Sequence, residues 1–290
     1  MTARGVVLGP GAGETLTDEP DRFLQIKAAF EQLATTESRY AQGESGPGAH
    51  IHRRHSDCFW VLDGQLVYEV GGGTRVAAGA GTFVLVPPGL VHTFRNEGPD
   101  DARFLNWHAP SMGFDDHLRL LTRGDEEAAE DRFDTFDPPA DGGLPASAAV
   151  VRGPDDGDVL QLGASRAVVK AGSDDGEGHV ALMLTTIEPG FPGPVPHRHR
   201  QMVDSFYVLD GTLAVTVAGT PQELEPGAFA CAPPGTVHTF SNPGPRPARF
   251  LNVMAPAGLE GYLRELAAMR AAPEPALMAQ IASRYDFDPA

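Results

Sequence analysis

Short runs of β-branched and aromatic residues, separated by glycine and proline, follow one another along most of the chain. In the first half such runs occupy residues 66–70, 82–86, 92–95 and 104–107. Runs of this length with such punctuation are typical of a β-sandwich or barrel, and not of a sheet wound with helices. The pattern therefore predicts an all-β fold.

The apolar spacing changes to a helical period in two places, residues 115–122 and 260–269. Apolar side chains three and four residues apart fall on one face of a helix. An Ala-Pro pair precedes each stretch, and similar tripeptides follow them, Arg-Phe-Asp at 132–134 and Arg-Tyr-Asp at 284–286. We therefore predict a short helical tail after each of two β-rich segments.

The two β-rich segments are copies of one another. The first carries His50-Ile51-His52 and Asp57, and the second carries His197-Arg198-His199 and Asp204. A second group of residues also returns at the same internal spacing: Gly81, Pro87, Gly89, His92 and Asn96, then Gly227, Pro233, Gly235, His238 and Asn242. A repeat of about 145 residues has the size of a whole domain.

The repeat predicts the domain organisation. We expect an N-terminal domain over residues 1–135, a linker over 136–150 and a C-terminal domain over 151–290. The linker begins with a stretch rich in proline, aspartate and glycine, a composition typical of connecting segments. Within each copy, an Asp-Gly pair between apolar runs, at 63–64 and 210–211, predicts a tight β-hairpin.

The repeated polar residues have the chemistry of a metal site. Residues two apart on a strand point to the same face, so His50 and His52 project together. Asp57 lies at an odd separation from His52, and a bend within 53–56 is needed to bring it to that face. His92 follows a Pro-Pro-Gly turn that directs it back toward the pair. The second copy repeats this arrangement with His197, His199, Asp204 and His238.

Three imidazoles and one carboxylate suit Fe, Mn, Ni, Co, Cu or Zn and leave coordination positions open for a substrate or O₂. We therefore expect up to one divalent transition metal in each copy. The candidate ligands are His50, His52, Asp57 and His92 in the first copy, and His197, His199, Asp204 and His238 in the second.

These two motifs resemble those of the cupin superfamily, and their presence in both halves resembles a bicupin. The resemblance implies tandem double-stranded β-helix (jelly-roll) barrels of the cupin type, each here followed by a short helical C-terminal tail. Asp57 and Asp204 stand where the family has its metal-binding glutamate. Because aspartate is one methylene shorter, either it reaches the metal through an inward bulge or it remains free as a general base.

The chain resembles the quercetinase-like (quercetin 2,3-dioxygenase-like) bicupins. This resemblance implies a metal-dependent dioxygenase that acts on an aromatic, polyphenolic or enolisable small molecule, with Asp57 or Asp204 as the catalytic base. Three alternatives stay open: a decarboxylase of small dicarboxylates, a metal-dependent cyclase or isomerase of secondary metabolism, and a small-molecule-binding cupin without catalysis.

Charge and cysteine content limit the partners. The formal net charge is −17, which disfavours nucleic acid, since that affinity comes mostly from Lys and Arg. No apolar run is long enough for a bilayer span, and the N-terminus lacks the apolar core of a secretory signal. Two cysteines at non-equivalent positions, Cys58 and Cys231, suit a reduced cytoplasm. We expect a cytoplasmic protein whose two copies form an internal pseudo-dimer. Whether it also forms a homo-oligomer stays open.

Several histidines lie outside the repeated set. His55 has Met202 as its counterpart, and His108 has Met254. We expect His55 at the rim of the site, His108 either in the barrel lining or at the surface, and His117 and His179 exposed.

Overall fold

The structure is a computed structural model that describes residues 5–125, 130–140, 147–269 and 274–290. The strands and helices up to residue 152 are β1 (Val6–Leu8), β2 (Glu14–Asp18), β3 (Arg22–Phe30), β4 (Leu33–Tyr40), β5 (Ser56–Asp63), β6 (Gln65–Val70), β7 (Thr74–Gly79), β8 (Phe83–Val86), β9 (His92–Arg95), β10 (Ala102–Ala109), α1 (Phe114–Thr122), α2 (Glu130–Phe133) and β11 (Val150–Arg152).

The remainder of the chain repeats this order. Its elements are β12 (Asp158–Leu162), β13 (Ser165–Ala171), a 3₁₀ turn (Gly176–Gly178), β14 (Ala181–Ile187), β15 (His197–Arg198), β16 (Val203–Asp210), β17 (Leu213–Val217), β18 (Thr220–Leu224), β19 (Phe229–Ala232), β20 (His238–Ser241), β21 (Ala248–Ala255), α3 (Leu259–Ala267), α4 (Pro275–Ala282) and β22 (Asp288–Pro289). The all-β prediction with helical tails is confirmed.

The chain forms two compact units, each a barrel. The N-terminal barrel comprises Gly13–Asp156 and Asp174–His179, and the C-terminal barrel comprises residues 5–12, Gly157–Ser173 and Val180–Ala290. These limits differ from the ranges 1–135, 136–150 and 151–290 that the repeat predicts. Part of the predicted linker, residues 141–146, lies outside the described residues.

Part of the difference arises from strand pairing at the sheet edges. Strand β1 pairs with β19 and so belongs to the C-terminal barrel, while β11 pairs with β8 and belongs to the N-terminal barrel. An edge strand presents unpaired N–H and C=O groups to whichever segment reaches it. Assigning each repeat to one contiguous stretch therefore misplaces these two short strands.

In the N-terminal barrel, the described strands form a seven-stranded sheet in the order β11-β8-β5-β10-β4-β3-β2 and a three-stranded sheet in the order β7-β6-β9. Alternate side chains of both sheets meet in an aromatic core that includes Phe59, Tyr68, Phe94 and Phe104. Successive side chains of a strand point to opposite faces of its sheet, so alternate residues of the two facing sheets share one core.

In the C-terminal barrel, the described strands form a seven-stranded sheet in the order β1-β19-β16-β21-β14-β13-β12 and a five-stranded sheet in the order β18-β17-β20-β15-β22. Phe206, Val208, Leu213, Val215 and Phe250 fill its corresponding core.

The predicted Asp-Gly hairpins are wrong. Strand β5 pairs with β8 and β10, and β6 pairs with β7 and β9. The turn at Gly64 thus carries the chain from one sheet to the other. Gly64 has φ 70°, and a Cβ on it would lie 2.3 Å from the carbonyl oxygen of Asp101, so the glycine is required by both conformation and space.

Helices α1 and α3 follow the last strand of each barrel, as the helical spacing predicts. They begin after Gly113 and Gly258 and end at Thr122 and Ala267. In the part of the chain that the structure describes, every helix is too short or too polar to cross a membrane.

Candidate functional site

The four predicted ligands of the N-terminal barrel lie together. His50 forms an antiparallel bridge with His92 at the start of β9, and Asp57 lies at the start of β5. The chain bends at residues 53–54, between His52 and β5, within the segment where the parity of the spacing requires a bend. All four side chains are buried, and one possible ligand atom from each lies within 4.8 Å of the others.

Backbone carbonyls set the orientation of the three histidine rings. The Nδ1 atom of His50 lies 2.8 Å from the carbonyl oxygen of Gly48, and that of His92 lies 3.0 Å from Leu90 O. His52 Nδ1 lies 2.8 Å from the carbonyl oxygen of Asp134. A neutral imidazole that donates from Nδ1 keeps its lone pair on Nε2, which is the arrangement of metal-binding histidines.

The two oxygens of the Asp57 carboxylate have different partners. Asn106 Nδ2 donates to Oδ1, and Oδ2 lies 3.2 Å from His92 Nε2 and 3.9 Å from His52 Nε2. The shorter aspartate therefore brings one oxygen to the histidines. Asn106 was missed at the sequence level, although Phe-Leu-Asn at 104–106 returns at 250–252.

The C-terminal barrel repeats the arrangement with His197, His199, Asp204 and His238, all buried and within the same 4.8 Å limit. Asp204 Oδ2 lies 3.1 Å from His238 Nε2 and 3.7 Å from His199 Nε2, and Asn252 donates to Oδ1. The Nδ1 atoms again face carbonyl oxygens, here of Val195, Asp286 and Thr236.

Both donor sets fit a metal ion. The Nε2 atoms of His52 and His199 are buried, and neither has a hydrogen-bond partner among the described residues. A buried polar atom without a partner is costly, and a cation among the four groups would satisfy it. Three imidazole nitrogens and a carboxylate oxygen are suitable ligands for divalent transition metals.

The electrostatics keep His50 and His197 neutral and so ready to bind a cation. Burial, followed by the nearby His92, lowers the pKa of His50 to about 4. Burial and the nearby His238 lower the pKa of His197 to about 4. Although burial raises the pKa of Asp204, the nearby His199 and His238 outweigh this effect and bring the pKa below its usual range. Neutral imidazoles and an ionised carboxylate are the forms that bind metal.

Two aspartates in the tails anchor the bends after the histidine pairs. The Asp134 carboxylate accepts hydrogen bonds from the backbone N–H groups of Arg53 and Arg54. In the C-terminal barrel, the Asp286 carboxylate accepts from the backbone of residues 200–202. The repeated tripeptides at 132–134 and 284–286 thus hold the bends that bring Asp57 and Asp204 inward. The sequence alone did not reveal this role.

A cavity of about 350 Å³ adjoins the N-terminal cluster. His50, His52 and Asp57 are part of its wall, most of which is apolar. The aromatic rings of the wall are Tyr40, Phe59, Phe94, Phe104 and Phe114, with Thr36, Ser38, Asn106, His108, His117 and Thr135 among its polar groups.

The corresponding region of the C-terminal barrel is filled by side chains. Phe287, the counterpart of the cavity residue Thr135, stacks on His197 with ring centroids 4.3 Å apart. Tyr262, at the helix position of His117, stacks on Phe287 at 5.2 Å. Further apolar members of this packed cluster are Met183, Met202, Met254 and Leu259. The two clusters thus share their candidate ligands but differ in their surroundings.

The histidines outside the repeat are more buried than expected. His55 and His108 are 1% and 2% exposed, so His55 is not a rim residue. His117 is half-buried and lines the cavity, and His179 packs near Ser56. Burial lowers the pKa of His108 well below that of a free imidazole. The two cysteines, Cys58 and Cys231, are buried and unbonded.

Comparison with known proteins agrees with this geometry. The model of the cupin domain matches residues 36–108 and 183–254, and each match contains one complete cluster. Quercetin 2,3-dioxygenase of Bacillus subtilis (strain 168) is 24% identical over 253 residues, covering 78% of this chain and 74% of that protein.

Two oxalate decarboxylase structures have a similar fold. That of Lactobacillus farciminis, in a formate complex, has a TM-score of 0.60 at 13% identity and covers 97% of both chains. That of Bacillus subtilis, which has Mn(II) centres, has a TM-score of 0.57 at 16% identity and covers 89% of this chain and 79% of that chain. Together with the doubled domain match, the two barrels and their clusters establish that the chain belongs to the cupin family, as a bicupin.

Proposed function

We propose that the protein is a metal-dependent dioxygenase that acts on an aromatic, polyphenolic or enolisable small molecule in its N-terminal barrel. The observation that carries the proposal is the cluster of three histidines and one aspartate that opens into a cavity with aromatic walls. Its volume of about 350 Å³ is in the lower part of the range for ligand pockets. The rings of Phe59, Phe94 and Phe104, which pack against one another, would keep water away from the substrate on their side of the cavity.

His50, His52, Asp57 and His92 would hold the metal of this site, and His197, His199, Asp204 and His238 that of the other. A bound ion of the Fe, Mn, Ni, Co, Cu or Zn class supplies Lewis acidity and, for its redox-active members, electron transfer. The chain contributes the orientation, because Asn106 and the backbone carbonyls hold the ligand side chains in place before the ion binds.

Between the two roles open to Asp57 and Asp204, the geometry favours that of ligand over that of base. One oxygen of each carboxylate receives an amide hydrogen bond, and the other faces the histidine nitrogens. Both carboxylate oxygens are thus engaged already, which favours the role of ligand over that of a base for the substrate. The similarity to quercetin 2,3-dioxygenase supports an oxidative reaction at such a site.

Decarboxylation of a small dicarboxylate is less well supported by the cavity. A second carboxylate would need a cationic partner, and the arginine of the wall, Arg22, is already engaged. Its guanidinium donates to Glu44 and to the carbonyl of Ser45, and it lies 4.4 Å from the centroid of the Tyr40 ring. The aromatic walls suit a larger apolar substrate better.

The test is oxygen consumption by protein reconstituted separately with each of the six metals. Flavonols, catechols and 1,3-diketones form the substrate panel, and oxalate is included under anaerobic conditions. We expect O₂ uptake with at least one aromatic or enolisable compound and one redox-active or Lewis-acidic metal. No O₂ uptake with any pair would contradict the proposal, and turnover without O₂ would support a decarboxylase, cyclase or isomerase instead.

A further inference from the structure

Three hydrogen-bonded side chains, Asp134, His55 and His108, connect the tail of the N-terminal barrel to the wall of its cavity. Asp134 Oδ2 lies 2.8 Å from His55 Nδ1, and His55 Nε2 lies 2.8 Å from His108 Nδ1. All three are buried, with exposures of 2% or less. His108 lines the cavity, and its Nε2 lies 3.4 Å from Asp57 Oδ1.

The direction of the hydrogen bonds follows from Asp134. Its carboxylate also accepts from the backbone N–H groups of Arg53 and Arg54, so it is an acceptor toward His55 as well. A neutral His55 that donates from Nδ1 has a lone pair on Nε2, and His108 must then donate to it from Nδ1. The remaining nitrogen, His108 Nε2, is therefore an acceptor.

Among the described residues, no donor is hydrogen-bonded to this acceptor. Asp57 Oδ1, which lies 3.4 Å away, is itself an acceptor and already receives the amide of Asn106. The His108 ring is fixed in place by Phe114 of α1, which stacks on it with centroids 3.4 Å apart and planes 12° apart. A buried acceptor held at a cavity wall requires a donor from whatever occupies the cavity.

The C-terminal barrel shows that a metal cluster of this type forms without the hydrogen-bonded series of Asp134, His55 and His108. It keeps the equivalents of Asp134 and Asn106, which are Asp286 and Asn252, but has Met202 and Met254 at the two histidine positions. Its cluster forms without them. His55 and His108 are therefore not needed to build the cluster, and they occur in the barrel whose cluster adjoins the cavity of about 350 Å³.

We propose that His108 Nε2 accepts a hydrogen bond from a phenolic or enolic hydroxyl of the bound substrate, with His55 and Asp134 as positioning residues. The inference rests on the proposed function, which supplies a hydroxyl-bearing substrate. It goes beyond that function by assigning the acceptor to a residue outside the repeated motifs. It also explains how a hydroxyl is recognised although both oxygens of Asp57 already have partners.

The test compares two ligands that differ in one donor, catechol and 2-methoxyphenol, by calorimetry on the full chain loaded with Zn²⁺. Zinc has no redox chemistry, so binding is measured without turnover. We expect wild-type protein to prefer catechol, and H108M to lose about tenfold of that preference, the worth of one hydrogen bond. The change H55M is expected to lose part of it, because His108 keeps its ring but not its fixed tautomer.

Matched variants separate recognition from structure. Methionine at both positions is tolerated in the C-terminal barrel, so H108M is expected to fold and to keep its zinc. The change H108Q retains a donor toward His55 and an acceptor toward the cavity, and is expected to restore most of the preference. M254L, in the other barrel, is expected to leave the preference unchanged.

Three results would overturn the inference. An unchanged preference in H108M would show that His108 does not contact the hydroxyl, while leaving the proposed function intact. Loss of zinc from H108M would show that His55 and His108 serve to hold the metal ligands in place. Failure of the wild-type protein to bind either compound would count against the aromatic substrate itself, and therefore against the proposed function together with the inference.

Discussion

Alanine in place of His92 is expected to lower turnover by at least about a hundredfold, whereas alanine in place of His238 is expected to leave most of it. Both changes remove the same ring nitrogen from equivalent sets of ligands. The difference lies in what surrounds the two clusters. Only the N-terminal cluster adjoins the cavity of about 350 Å³, while Phe287 covers His197 in the C-terminal barrel.

The measurement is O₂ uptake with the most active compound of the substrate panel, alongside the metal content of each variant. The pair His50→Ala and His197→Ala serves as an independent repeat of the comparison. A large loss of activity in His238→Ala, with the metal of the N-terminal cluster retained and the fold intact, would contradict the assignment of turnover to the N-terminal barrel.

Threonine in place of Phe287 is expected to destabilise the protein by about 3 kcal/mol, because it leaves a cavity where a buried ring packed. Phe287 is 7% exposed and contacts both His197 and Tyr262. Its counterpart Thr135 is a wall residue of the N-terminal cavity. The change should therefore also make the C-terminal cluster accessible to small ligands.

Urea unfolding of the metal-free protein measures the first effect, and calorimetric titration of catechol into an H92A background measures the second. The reverse change, Thr135→Phe, is the control, and is expected to reduce turnover by filling the N-terminal cavity. A loss of less than about 1 kcal/mol in F287T, without any new binding, would mean that Phe287 does not close the second cluster.

Much of the fold and of the clusters follows from local patterns that repeat. Strands 82–86 and 92–95 and the helices at 115–122 and 260–269 were predicted within a few residues of their observed ends. The parity of the spacing between His52 and Asp57 required a bend, and the chain bends at residues 53–54. Period and spacing are properties of neighbouring residues, so one sequence is enough to reveal them.

The features that distinguish the barrels depend on contacts between distant residues. Asp134 is 82 residues from His52, and Asn106 is 49 residues from Asp57, so no local pattern joins them. The Asp-Gly turns were misinterpreted because a short-range signal does not say which strands pair across a sheet. Whether Thr135 or Phe287 faces a cluster likewise depends on where each tail packs.

The central claim is that substrate binds at the N-terminal cluster while the C-terminal cluster holds a metal in a closed site. Anomalous diffraction from a crystal grown with Zn²⁺ and soaked in catechol tests it most directly. The account predicts zinc in both clusters, bound by Asp57 in one and Asp204 in the other, with catechol only in the N-terminal cavity beside His108. Catechol at the His197 cluster, or zinc in the N-terminal cluster with catechol absent from its cavity, would contradict it.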